Sequence, residues 1–304
     1  MSSLTQKILT FGLNCGLEFP EKVKLISKGV AAETYQITSE ETTYIITRFL
    51  QKTPAFQPTL AIKTSHFFSK MGFPVTEILA TGHIDSDNCF LANFSQGKVR
   101  SNWSISEFES IGKMMGSLHW TQKLFLHKQH PTTITEEMTR MSHVVKDFLP
   151  HEFYPILDET DRLCSNWPTD LPTGLIHGDI WYKNVLFEGK DITALLDFHS
   201  PLQECLIYDL GTILKGIYFS KHRENSDEKF NAFLSAYQKM NPLSQKEIEY
   251  LPLMLQGKIL FTILFMLTQA AYNFAHRDNF LSVAMFNFMK LCETKEFSFE
   301  KTSL

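Results

Sequence analysis

The feature that most constrains this chain is a change of period partway along it. Residues 24–29 (KLISKG), 33–38 (ETYQIT), 42–50 (TTYIITRFL) and 89–94 (CFLANF) are β-branched and aromatic runs separated by turn-formers, the pattern of strands on a half-buried sheet. One helical segment, Leu60 to Met71, interrupts them before the turn Gly72-Phe73-Pro74. After about residue 100 the apolar residues move to helical spacing, in ISEFESIGKMMGSLHWTQKLF, in EKFNAFLSAYQKM and in the apolar run 251–275. The expected fold class is α+β and bilobal. A small β-rich lobe over 1–95 precedes a larger α-rich lobe over 96–304, with the crossing near Asn93 to Gly97. A chain of 304 residues has room for two such cores.

Composition narrows the function. A net charge of −4 offers no basic footprint, so nucleic acid is excluded as the expected partner. The five cysteines (15, 89, 164, 205 and 292) are scattered, odd in number and without a CxxC pair, which points to reduced thiols and a cytoplasmic setting. The first sixteen residues have no sustained apolar run, so no secretory leader is expected. Residues 251–275 are the most apolar stretch, and within it Lys258 and Gln269 bracket an apolar run. That run is short for a bilayer and apolar all round, so a buried core helix is expected and a membrane is not. HKQHPTTITEE (127–137) is expected to be a polar surface loop, with His127 and His130 solvated, and His119 to be a packed, hydrogen-bonded histidine.

Chemistry concentrates in LIHGDIWYKNVLFEGKDITALLDF, residues 175–198. Its apolar runs read as buried strands, yet Asp179, Asn184 and Asp197 punctuate them, and a buried carboxylate without a partner is costly. VLF, the turn EGKD and ITALL form a hairpin by composition and loop length. A hairpin returns the chain to its start, bringing Asn184 and Asp197 close together, with Asp179 on the adjoining loop. Hard cations such as Mg²⁺ take a few protein oxygens beside water and phosphate. An Asn and an Asp meet that demand and leave one carboxylate to accept a proton, the division of labour in phosphoryl transfer to a hydroxyl.

HGD, with Asn five positions after the Asp and LDF with its Asp eighteen positions after, resembles the aminoglycoside phosphotransferase and choline kinase superfamily. Its nearest likeness is to type II homoserine kinases. The resemblance extends through IYDLG (207–211) and FNAFLSAYQKMNPLSQKEIEYLPLML (230–255) and weakens in the first lobe and after 256. It implies a protein-kinase-like fold and an ATP- and Mg²⁺-dependent transfer to a hydroxyl of a small metabolite. The acceptor would be an amino acid or amino alcohol, with homoserine first and choline, ethanolamine or an aminoglycoside as alternatives. A nucleotide-binding pseudokinase is the other alternative. By the same resemblance Asp179 is the catalytic base, Asn184 and Asp197 hold the metal, Asp209 braces the catalytic loop and His177 orients it.

In the first lobe, SKGVAAETYQIT resembles the nucleotide-covering hairpin with Gly29 at its turn, and Asn93 and Phe94 fall where the nucleotide would lie. YIITRF resembles the strand that offers a cation to the phosphates. Either Arg48 or Thr47 occupies that position. Gln51 to Thr76 hold no Asp or Glu, although kinases pair the strand cation with a helix glutamate there. Homoserine kinases of this type carry arginines in the helix matching 253–267, where this chain has Gln256, Phe261 and Met266. Trp181 and Tyr182 either wall the acceptor pocket, where aromatics would suit a quaternary ammonium, or pack down. His199 faces either the acceptor or solvent.

Overall fold

A computed structural model describes residues 3–29, 32–50, 57–125, 132–198, 202–219, 224–272 and 276–294. The chain divides into two compact units, Met1–Arg100 with Lys183–Pro201, and Ser101–Tyr182 with Leu202–Leu304. This division is discontinuous, whereas the sequence suggests one cut near residue 95. The segment 183–201 belongs with the first unit because its backbone bonds to residues 74–98, as described next.

The first unit is built on an antiparallel sheet. Its strands are β1 (Pro20–Lys28), β2 (Ala32–Ser39), β3 (Thr42–Phe49), β4 (Ile78–Ile84) and β5 (Asp87–Asn93), in the order β1-β2-β3-β5-β4. Alternation along β2 is strict, so Glu33, Tyr35, Ile37 and Ser39 share one buried face. Helix α1 (Ser3–Asn14) covers that face, setting Ile8, Leu9 and Phe11 against Tyr35, Ile37, Ile46, Cys89 and Leu91. The opposite face packs Phe49, Ile78, Phe90 and Ala92 with Ala61 of α2 (Pro58–Lys70). A second hairpin, β7 (Val185–Glu188) and β8 (Asp191–Leu195), joins this unit. Phe187 and Lys98 exchange both backbone hydrogen bonds at 3.0 Å, Leu195 N–H donates to Pro74 O, and the Phe198 ring stacks on Phe68 at 5.4 Å.

The second unit is helical, with one short antiparallel pair, β6 (Thr173–Ile176) and β9 (Leu202–Cys205). Its helices are α3 (Ile105–Thr121), α4 (Ile134–Val145), α5 (Pro155–Ser165), α6 (Ile207–Phe219), α7 (Ser226–Met240), α8 (Gln245–Tyr272) and α9 (Arg277–Thr294). Reciprocal caps start three of them. Ser104 with Glu107, Thr133 with Glu136 and Ser244 with Glu247 each satisfy two otherwise unpaired N–H groups. The Thr133 cap corrects the expected loop over 127–137, because α4 begins at Ile134; residues 127–131, with both histidines, lie outside the described residues. Helix α8 runs 28 residues and is long and apolar enough to cross a membrane by length and composition, which corrects the expectation that it is too short. Yet 61% of its most apolar window is buried inside the protein. Leu255, Ile259, Leu260, Ile263 and Leu264 are fully enclosed, so it is the core helix of this unit.

Candidate functional site

The loop that follows β6 is held by its backbone. Gly178 sits at φ 77°, a left-handed conformation that favours glycine. This turns the N–H groups of His177 and Gly178 towards one carboxylate, Asp209, in the first turn of α6. They donate to its two oxygens at 2.9 and 2.6 Å. His119 Nε2 lies 3.2 Å from the same carboxylate, while His119 Nδ1 meets the Tyr237 hydroxyl at 2.8 Å, which in turn accepts from Asn241. Burial pushes the Asp209 pKa up, but the His119 hydrogen bond and the neighbouring donors outweigh it and hold the carboxyl below its ordinary value. Asp209 is thus an ionised, fully buried brace linking α3, α6 and α7 to the loop. His119 is the packed histidine expected of it.

Asp179 stands next in the loop. Its N–H donates to His177 Nδ1 at 3.2 Å, so that ring nitrogen acts as an acceptor. Its side chain is 63% accessible and opens into a cavity of about 820 Å³ in the second unit. Lys258 of α8, whose side chain is only 7% accessible, donates to Asp179 Oδ1 at 2.9 Å and to Gly178 O at 2.6 Å. Desolvation by the cavity walls raises the Asp179 pKa. The Lys258 ammonium more than cancels this and holds the carboxyl below its usual value. Across the same cavity Lys215 of α6 donates to the Thr262 hydroxyl at 2.7 Å. Burial, then repulsion by Lys258, brings the Lys215 pKa down to about 7. Sequence reading passed over both lysines. The available signal was a single cation inside each of two otherwise apolar helical runs, LGTILKGIYF and LMLQGKILF, since a lysine is rarely buried without a role.

Trp181 and Tyr182 do line this cavity. Trp181 is also packed in place, 5.6 Å from Trp103 and 4.9 Å from Tyr182 by ring centroids, with its edge over Gly216, where an added Cβ would lie 1.7 Å from the ring. His199 lies outside the described residues.

The remaining candidates belong to the first unit. Hairpin register pairs Val185 with Leu195, and Leu196 N–H donates to Asn184 O at 2.8 Å, which puts Asn184 beside the start of Leu196-Asp197. Asn184 is buried, while Asp197 is exposed at φ 60°, left-handed backbone that Asp tolerates better than most residues. A carboxamide and a carboxylate oxygen suit a hard cation. Among the described residues no group of three His, Cys, Asp or Glu side chains is placed to hold a metal ion, so these two would be a partial ligand set. Gly29 ends the β1 side of the first hairpin, its N–H donating to Ala32 O at 2.8 Å. Asn93 closes β5, and Phe94 beyond it is exposed.

Arg48 departs from its expected part. It pairs in register with Glu33 and Cys89, on the α1-covered face of the sheet. There it binds Asp87 through Nε at 2.8 Å and Nη2 at 2.6 Å, with Glu33 at 3.5 Å. Strand alternation puts Thr47, the other candidate for this position, on the opposite face with Phe49. Arg48 therefore crosslinks the sheet.

Residues 22–243 match the model of the phosphotransferase enzyme family. The chain belongs to that family. Among curated proteins, this phosphotransferase is similar to the homoserine kinase of Agrobacterium fabrum, 29% identical over 187 residues, covering 59% of this chain and 57% of that one. It is also similar to the homoserine kinase of Rhizobium etli (strain CIAT 652), 35% identical over 186 residues with the same coverage. The match thus spans little more than half the length of these relatives. Two solved structures share the fold. One is an amicoumacin kinase in complex with AMP-PNP, Ca²⁺ and Ami, with TM-score 0.76 and 17% identity over 95% of this chain and 93% of that one. The other is the choline kinase LicA from Streptococcus pneumoniae, with TM-score 0.71 and 14% identity over 96% and 100%.

Proposed function

We propose that this phosphotransferase is a small-molecule kinase, moving the γ-phosphoryl group of ATP to a hydroxyl of a small metabolite, with homoserine as the leading acceptor. The observation that carries this reading is the Asp179 carboxylate, opening into the cavity from a loop whose backbone Asp209 clamps. In this account Asp179 orients the acceptor hydroxyl. A carboxylate held below its ordinary pKa is a weak base, so it takes the proton as the O–P bond forms and not beforehand; the loose transition state of phosphoryl transfer asks for no more. Lys258 fixes the rotamer and charge of Asp179, and His177 and Asp209 keep the loop in register. Asn184 and Asp197 would hold Mg²⁺, which when bound neutralises charge on the phosphates. Gly29, Asn93 and Phe94 are proposed to border the nucleotide. Five free cysteines suit a reducing, cytoplasmic compartment.

A second reading, a nucleotide-binding pseudokinase, draws on the sheet-bound Arg48, which leaves β3 without a free cation for the phosphates. One assay separates the two. MgATP-dependent ADP release is measured with L-homoserine, choline, ethanolamine and an aminoglycoside, beside calorimetry of nucleotide binding. The kinase reading expects release with one acceptor class. Binding of MgATP with no acceptor-dependent release would favour the pseudokinase.

A further inference from the structure

The cavity beside Asp179 carries an uneven set of charges. Its lining holds three lysines, Lys215, Lys258 and Lys290, against one carboxylate, Asp179. Two of the lysines are occupied. Lys258 is bound to Asp179 and Gly178 O. Lys290 is paired with Glu293 at 2.9 Å and lies over the rings of Phe219 and Phe286. Lys215 differs, because among the described residues its recorded hydrogen bond is to the neutral Thr262 hydroxyl, with no carboxylate at ion-pair distance. That hydroxyl donates its own proton to Lys258 O at 2.9 Å, so its lone pair points at Lys215 and fixes the ammonium in place. An ammonium has three donors, and two of these are left for whatever enters the cavity.

The geometry points to Lys215 as the anion-recognising residue of the acceptor pocket, and hence to an acceptor that carries a carboxylate as well as its hydroxyl. This rests on the kinase reading above only for the position of the hydroxyl, at Asp179. A cationic acceptor such as choline would meet three lysines against a single carboxylate. A carboxylate supplies the missing counter-charge to a buried cation, which is costly to leave unpaired. Burial and Lys258 bring the Lys215 pKa down to about 7, and a bound carboxylate favours its charged form. The titratable groups facing it are Asp179, Tyr182, Lys258 and Lys290.

The test is equilibrium binding of two probes that divide homoserine, 4-hydroxybutanoate (carboxylate without amine) and 3-aminopropan-1-ol (amine without carboxylate). Both are measured by calorimetry on the full chain, wild type, Lys215→Met and Lys215→Arg. Wild type is expected to prefer 4-hydroxybutanoate, with affinity weakening as pH rises above about 7. Lys215→Met should weaken that probe about 10- to 100-fold, the value of one charge-assisted hydrogen bond, and lose the pH dependence, while Lys215→Arg restores part of it. An equal or greater affinity for 3-aminopropan-1-ol, no binding of the hydroxy acid, or an unchanged preference in Lys215→Met would overturn the inference. Binding is read without turnover, so the two proposals fail separately. Intact, Lys215-dependent anion binding without ADP release faults the kinase reading alone, and ADP release with a cation-selective pocket faults the inference alone.

Discussion

Arg48 on β3 and Lys215 on α6 are both cations withdrawn from water, and they differ in what faces them. Arg48 meets two carboxylates from neighbouring strands, at 2.6 and 3.5 Å. Its donors are spent within the sheet and it serves the first unit's cohesion. Lys215 meets one neutral hydroxyl and a cavity. Lys258 lies between these cases, satisfied by a carboxylate that is itself exposed to the cavity. A buried cation's function therefore depends less on its identity than on whether the fold completes its set of partners. Where the set is complete the residue is structural. Where it is incomplete, something from outside is expected to complete it.

The loop brace should show the largest effect. Asp209→Ala strands two backbone N–H groups and His119 in a fully buried place, and removing one partner of such a network costs about 3–5 kcal/mol. A marked fall in the chemical denaturation midpoint is expected; an unchanged midpoint would mean that the clamp is dispensable. The acid limb of the pH profile should follow the same groups. Asp179 and Asp209 are both held below their ordinary values, so their contributions to stability are complete above pH 3.8 and fade as pH falls through the folded-state values.

Next in size is Lys258→Met. Without the ammonium, desolvation is opposed only by the weaker pull of His177 and Lys215, so the Asp179 pKa rises and the acid limb of kcat/KM moves to higher pH. A loss of about tenfold at the optimum, about 1.4 kcal/mol of transition-state stabilisation, is expected from the freed rotamer, with partial recovery in Lys258→Arg. A profile that keeps its acid limb would show that Lys258 merely packs. The smallest effect on function belongs to Arg48→Gln, which removes charged hydrogen bonds worth about 1.5–3 kcal/mol of stability and should leave nucleotide affinity unmoved. A loss of affinity of about tenfold or more would return Arg48 to the phosphates and erase the contrast with Lys215.

Much of this architecture was legible in the sequence. Strand alternation located β1, β2, β3 and β5, and the VLF-EGKD-ITALL hairpin appears as β7 and β8 around a two-residue turn. Ser-x-x-Glu signatures mark the starts of α3 and α8. What escaped was of two physical kinds. Helix α1 packs its apolar residues on the sheet it covers, a partner that no local pattern announces, while β4 carries a register shift between Ile78 and Ala80 and β9 is only four residues long, so neither shows a period. The second kind was partnership. The text LDFHSPLQECLIYDLG allows Asp209 to start a helix, but its three-way clamp needs residues from α3 and the loop that lie far away in sequence. Whether Arg48 or Thr47 faced α2 depended on strand parity relative to a helix packed from elsewhere. Lys215 and Lys258 acquire a common setting only because α6 and α8 line one cavity.

The most direct test of the account is acceptor-dependent ADP release by wild type and Asp179→Asn at saturating MgATP, with nucleotide binding measured alongside. The substitution keeps size and shape and removes the proton-accepting charge. A fall of about 10²–10⁴-fold in kcat with nucleotide affinity retained is the predicted result. Turnover near the wild-type rate in Asp179→Asn would contradict the assignment of Asp179 and, with it, the central role given to the clamped loop.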